Sequence, residues 1–153
     1  MKYSEEIEQF WHDFVQRHLE LQAKDFFEAF MFGTTEHGAD TLSALVMSGV
    51  KTATSDLLWS VEHEGRPVVQ AGTYSIVMNW ARRPLCVIET TEVRIIPFKD
   101  VDEAFAYDYG EGERTLAWWQ LNMWDYYVQA CAKIGKQATP EILIIAERFR
   151  LVP

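Results

Sequence analysis

The chain has 153 residues, 48% of them apolar and 14% aromatic, with a formal net charge of −9. That length and apolar content suit one domain that buries a core without disulfide or metal staples, and they exclude an intrinsically disordered chain. The negative charge excludes indiscriminate nucleic-acid binding through bulk electrostatics.

Charge is unevenly spread. Residues 1–50 hold nine acids against three bases, residues 51–100 six of each, and residues 101–153 eight against five. An anion-binding surface would therefore be local, drawn from Lys51, Arg66, Arg82, Arg83, Arg94, Lys99 and Arg114. Cys86 and Cys131 have no Cys-x-x-Cys spacing and read as buried free thiols. The first ten residues, MKYSEEIEQF, lack an apolar signal core, and no apolar run approaches membrane-spanning length, so the expected location is cytoplasmic.

In chain order, Ser4 can cap a first helix whose early acids, Glu5, Glu6 and Glu8, complement its N-terminal dipole. Ile7, Phe10, Trp11, Phe14 and Leu21 recur at roughly helical spacing and give it an apolar face. A second helix is predicted from about Thr35 to Ser48, with Leu42, Leu45 and Val46 inward and Gly49 as the C-terminal cap. From Lys51 the pattern turns to strands. GRPVVQAG is a turn between two of them, TYSIVMNW and LCVIETTEVRIIPF are β-rich, and ARRP is their hairpin connection. A short helix follows at DVDEAFAY. Thr115 then caps a long one, with Leu116, Trp119, Met123, Tyr127, Ala130 and Ile134 on one face and Gly135 past its end. ILIIAERFRLV reads as a closing strand. No internal repeat or linker interrupts this, so residues 1–153 are expected to form one α+β domain.

Three constellations carry chemistry. The first is Gly49-Val50-Lys51-Thr52-Ala53-Thr54. Lys51 is either a solvated cation at a helix end or the reactive group of a pocket. In a strict strand Lys51 and Thr54 point to opposite faces, so their convergence demands a bend. The second is YDYGEGERTLAWW, where Gly110 and Gly112 free the backbone around Glu111. The acid is then either solvated or available as a base or metal ligand, with Arg114 a bidentate donor to phosphate or carboxylate. The glycine spacing matches neither Gly-x-Gly-x-x-Gly nor a P-loop. The third is the aromatic group Trp118, Trp119, Trp124, Tyr126 and Tyr127, mostly core, from which Trp118 or Trp124 could line a cleft. The four histidines show no metal-binding spacing, and no serine sits in a nucleophile elbow.

Taken in order, ADTLSALVMSGVKTATSDLLW, GTYSIVMN, VIETTEVRIIPFKDV, FAYDYGEGERTLAWW and AERFRLV resemble the ASCH domain family, in its long bacterial type, from about Phe32 to Val152. The resemblance implies a PUA-like small mixed β-barrel flanked by helices, with residues 1–31 as a helical N-terminal extension, and an RNA or nucleoside/nucleotide ligand. It also implies two enzymatic readings. The first choice is a ribonuclease-type hydrolase of single-stranded RNA, with a divalent metal possible; Lys51 and Arg114 would stabilise the phosphorane and Glu111 act as base or metal ligand. The other is an amidohydrolase that deacetylates N4-acetylcytidine; Thr54 is the nucleophile, activated by a desolvated Lys51, and Glu111 moves the proton. A non-catalytic reading uses Lys51 and Arg114 on phosphate, with Trp118 or Trp80 stacking on a base. Thr115 takes the place of a serine in the family's usual Asp-Arg-Ser-Leu block. Three further positions depart from the pattern: Asp56 stands for an arginine, Tyr109 for a glutamate and Met123 for a histidine.

Overall fold

The computed structural model describes residues 3–21 and 25–153. Helix α1 (Glu5–Arg17) starts where expected, with the Ser4 side chain accepting the Ile7 N–H. Its buried residues are Ile7 and Phe14, which pack on Ile76, Met78 and Val87 of the sheet. The stretch expected to be a wholly helical extension also holds a strand, β1 (Phe26–Phe30). Its aromatic-rich sequence, FFEAF, fits a half-buried pleated edge better than a helix.

Helix α2 (Glu36–Met47) is capped by Thr35, and Gly49 follows it at φ +82. Strand β2 (Ala53–Leu57) runs directly into a one-and-a-half-turn helix α3 (Leu58–His63), a helix with no apolar period long enough to announce it. Strands β3 (Tyr74–Met78) and β4 (Pro84–Pro97) form the expected hairpin. A 3-10 turn at Phe98–Asp100 leads to α4 (Glu103–Tyr109), capped by Asp102. Thr115 caps α5 (Leu116–Lys133), and β5 (Leu143–Val152) closes the chain.

Among the described residues, five strands lie in the order β1-β3-β4-β5-β2. Only β1 and β3 are parallel; the other pairs are antiparallel. The fourteen-residue β4 is the spine, pairing with β3 through its first half and with β5 along most of its length. The sheet curls as a small mixed barrel does, but β1 and β2 stay unpaired edges. One face packs against α4 and α5 through Phe98, Phe105, Trp119 and Tyr127, the last three fully buried. Burying each such aromatic contributes about 2–3 kcal/mol. Both cysteines are buried and free. Among the described residues, no helix is long and apolar enough to cross a membrane.

Candidate functional site

Residues from both sheet edges, Phe27, Glu28 and Phe30 of β1 and Thr54, Ser55 and Asp56 of β2, line one cavity of about 480 Å³. The gap in the barrel wall is therefore where the molecule is hollow. Tyr109, Glu111, Met123 and Glu147 also line it.

The lysine reaches this cavity by a backbone crossing. After Gly49 the Val50 and Lys51 N–H groups both donate to the Leu45 carbonyl, closing the helix end. The Thr52 N–H then donates to Asp108 O at 2.7 Å, and β2 begins at Ala53. Lys51 thus lies before the strand, in the bend that the alternation of side chains demanded. Gly110, at φ +73, passes over this bend so closely that a Cβ there would sit 2.5 Å from Val50 O and 2.6 Å from Lys51 Cα. Only glycine permits that approach, and the approach sets Glu111 beside Lys51.

Lys51 is 1% exposed. Its ammonium donates to Ala53 O (2.7 Å) and Tyr109 O (3.1 Å) and pairs with Glu111 Oε2 at 2.8 Å. It also lies 3.6 Å from the centroid of the Tyr109 ring, a cation–π contact. Burial lowers its pKa to about 8, against the opposing pull of Glu111. The three donors of an ammonium are matched by three acceptors, so Lys51 is an anchored cation rather than a solvated one.

Tyr109 ties the site together. Burial pushes its hydroxyl up in pKa, against the neighbouring Ser55 and Thr54 hydroxyls, and it accepts from Ser55 Oγ at 3.4 Å. The same hydroxyl meets Met123 Sδ at 3.7 Å. Tyr109 and Met123, two of the positions that depart from the family pattern, are thus partners in space: a buried phenol and a thioether stand where a glutamate and a histidine were expected. The third departure is compensated too. Asp56 pairs with Arg66 at 3.2 Å, which brings a guanidinium to the cavity from the loop after α3.

Glu147, absent from the sequence-based candidates, also lines the cavity. It is the direct cross-strand partner of Thr54 and accepts the Thr90 hydroxyl at 2.8 Å. Burial, together with the carboxylates of Glu28 and Asp56, raises its pKa to about 7, against Thr90 and Lys51. Its phase in β5, shared with buried Ile145 and Phe149, was the available signal.

The other expected site residues build the loop that carries Glu111 and do not line the cavity. Arg114, at φ +59, donates to Tyr107 O (3.0 Å) and Val50 O (3.3 Å) and stacks on the Tyr107 ring. The Thr115 hydroxyl caps α5 by accepting the Trp118 N–H. Trp118 packs on Gly112, whose Cβ would fall 2.1 Å from the indole. From α5 the cavity is reached by Met123 and Tyr126, not by Trp118 or Trp124.

The seven cations offered for an anion-binding surface are largely committed. Lys51, Arg66, Arg83, Arg94 and Lys99 are each paired with a carboxylate. Among the described residues, no three His, Cys, Asp or Glu side chains are grouped to hold a metal ion. Three of the acids around the cavity, Glu111, Asp56 and Glu147, are instead engaged by Lys51, Arg66 and Thr90. Among the described residues a divalent metal thus finds no fitting donor set.

An α+β domain with a mixed five-stranded sheet and a buried Lys–Glu pair in the gap of its barrel is a PUA-like architecture. The chain belongs to the ASCH domain family, whose model matches residues 28–153. It is similar to the crystal structure of an ASCH domain from Lactobacillus crispatus JV V101, with 26% identity over 99% of this chain and 96% of that one and a TM-score of 0.87. It is also similar to a protein from Enterococcus faecalis V583, with 32% identity over 96% of this chain and 88% of that one and a TM-score of 0.85. No curated protein matches the chain. The family is associated with RNA binding in general.

Proposed function

We propose that this ASCH domain hydrolyses an acyl amide on a nucleobase, of the kind present in N4-acetylcytidine, with Thr54 as nucleophile and Glu111 as proton carrier. The observation that carries this reading is the 2.8 Å Lys51–Glu111 pair at the wall of a cavity also lined by Thr54. A cavity of about 480 Å³ is the size of a small-molecule site and suits a single nucleoside rather than a strand.

With its pKa near 8, Lys51 keeps its proton at pH 7, and all three N–H groups already have acceptors. We therefore assign Lys51 the role of holding Glu111 in place and offsetting negative charge in the transition state. Glu111 takes the proton as Thr54 Oγ attacks the acyl carbon. The threonyl ester is then released by water.

Phosphodiester cleavage draws less support from the same residues. Arg114 is engaged with two carbonyls, and the cations nearest the cavity, Lys51 and Arg66, are already paired with Glu111 and Asp56, which leaves little positive charge for a phosphate. Assaying purified protein on N4-acetylcytidine and on unmodified single-stranded RNA separates the two. Release of acetate that disappears in Thr54→Ala supports the proposal; RNA cleavage without deacetylation overturns it.

A further inference from the structure

We propose that Glu147 is the general acid of this site, delivering the proton that the departing amine needs, an assignment that rests on the acyl-amide reading above. Glu147 and Thr54 are paired across β5 and β2, so their side chains share one face with Cβ atoms about 5 Å apart. Both line the cavity. A group delivering a proton to the leaving nitrogen has to stand beside the nucleophile, and no other carboxyl is its cross-strand partner.

The surroundings of Glu147 suit the task. Thr90, fully buried on β4, donates its hydroxyl to Oε2 and fixes the carboxyl's orientation. Facing it are the carboxylates of Glu28 from β1 and Asp56 from β2, with Lys51 the opposing cation. Glu111 is paired directly with that ammonium, whereas Glu147 is not. Two carboxyl groups thus occupy one cavity in contrasting settings, one ion-paired and one held beside like charge in a buried place. Such a contrast separates a base from an acid.

The proton balance closes over a full cycle. Thr54 Oγ bonds to the acyl carbon as its proton passes to the Glu111 carboxylate. The C–N bond breaks with the electron pair on nitrogen, which takes the proton of Glu147. Water then attacks the threonyl ester, giving one proton to the Glu147 carboxylate, while protonated Glu111 returns its proton to Thr54 Oγ. The net change is amide plus water to carboxylic acid plus amine, with both glutamates restored.

The test compares Glu147→Gln with the unaltered protein on N4-acetylcytidine and on 4-nitrophenyl acetate, whose leaving group departs as an anion and needs no proton. The glutamine still accepts from Thr90, so folding is retained; a thermal melt checks this. Glu147→Gln is expected to lower amide turnover about 100-fold or more. It should keep a stoichiometric burst of nitrophenolate and accumulate acetyl-Thr54, visible by mass spectrometry. The fall of kcat/KM as pH rises through about 7 should vanish in Glu147→Gln and persist in Glu147→Asp. Amide turnover within about threefold of the unaltered protein overturns the assignment, as does a burst lost as completely as amide turnover. If the unaltered protein releases no acetate from the amide, the acyl-amide reading itself fails and the general-acid role with it. If its turnover survives Thr54→Ala, Thr54 is not the nucleophile, and the assignment of Glu147, which rests on standing beside it, is overturned as well.

Discussion

Gly110 and Lys51 cross at a separation that leaves no room for a side chain at position 110: a Cβ on Gly110 would lie 2.6 Å from Lys51 Cα. The crossing places Glu111 against a buried ammonium, and it costs both a left-handed backbone at φ +73 and a contact without side-chain freedom. Gly110→Ala is expected to destabilise the fold by more than the 1–2 kcal/mol of left-handed strain alone, because the clash is with backbone and cannot be relieved by a rotamer. Urea unfolding measures it. A loss under about 1 kcal/mol would mean that the two segments can separate at little cost.

Removing both partners of the Lys51–Glu111 pair should cost less than the two single removals added together. Lys51→Ala strands Glu111, Ala53 O and Tyr109 O, for an expected loss of about 3–5 kcal/mol. Lys51→Ala combined with Glu111→Ala is expected to lose less than the sum of the two single changes. A double-mutant cycle in chemical denaturation gives the coupling directly.

Stability should depend on pH through two groups of opposite sense. Lys51 has its pKa lowered from 10.5 to about 8, so the unfolded chain holds the proton more tightly between those values. The cost of burying the ammonium is full below pH 8 and is relieved as pH rises toward 10.5. Glu147 has its pKa raised from 4.5 to about 7, so its contribution is favourable below pH 4.5 and is lost as pH rises through 7. These two terms are jointly least favourable near pH 7–8. Glu147→Gln is expected to flatten the fall between pH 4.5 and 7, by up to about 3 kcal/mol. Urea midpoints at pH 5 and pH 8, with and without the change, test it.

The phenol of Tyr109 joins the lysine site to Thr54, Ser55 and Met123. Tyr109→Phe keeps the ring under Lys51 and deletes only the hydroxyl. Deacetylase activity should fall about tenfold, as expected for loss of one orienting hydrogen bond in a cleft, while the Lys51 contacts stay. A loss as deep as that of Thr54→Ala would instead place the phenol itself in the proton path.

Arg114 should behave as a loop clamp. Arg114→Ala removes two hydrogen bonds to carbonyls and a stacking contact, for an expected destabilisation of about 1–3 kcal/mol. Substrate KM should keep its salt dependence. A weaker salt dependence after the change would restore Arg114 to the ligand.

Local chemistry was readable from the chain alone. The caps at Ser4 and Thr115 start helices through hydroxyls that bond within three residues, so their effect is written in adjacent letters. The β3–β4 hairpin and the long α5 followed from periodicity for the same reason. Lys51, Thr54 and Glu111 were visible as candidates because the ordered motif blocks marked them. Tertiary structure alone decided what those residues became. Crossing segments 58 residues apart gave Lys51 its Tyr109 acceptor, and strand register set Glu147 opposite Thr54. The contacts of Arg114, Thr115 and Trp118 within the loop that carries Glu111 followed from packing around Gly112 and the Val50 carbonyl. Desolvation, close backbone approach and cross-strand pairing join residues distant in the chain, and no window of sequence contains them.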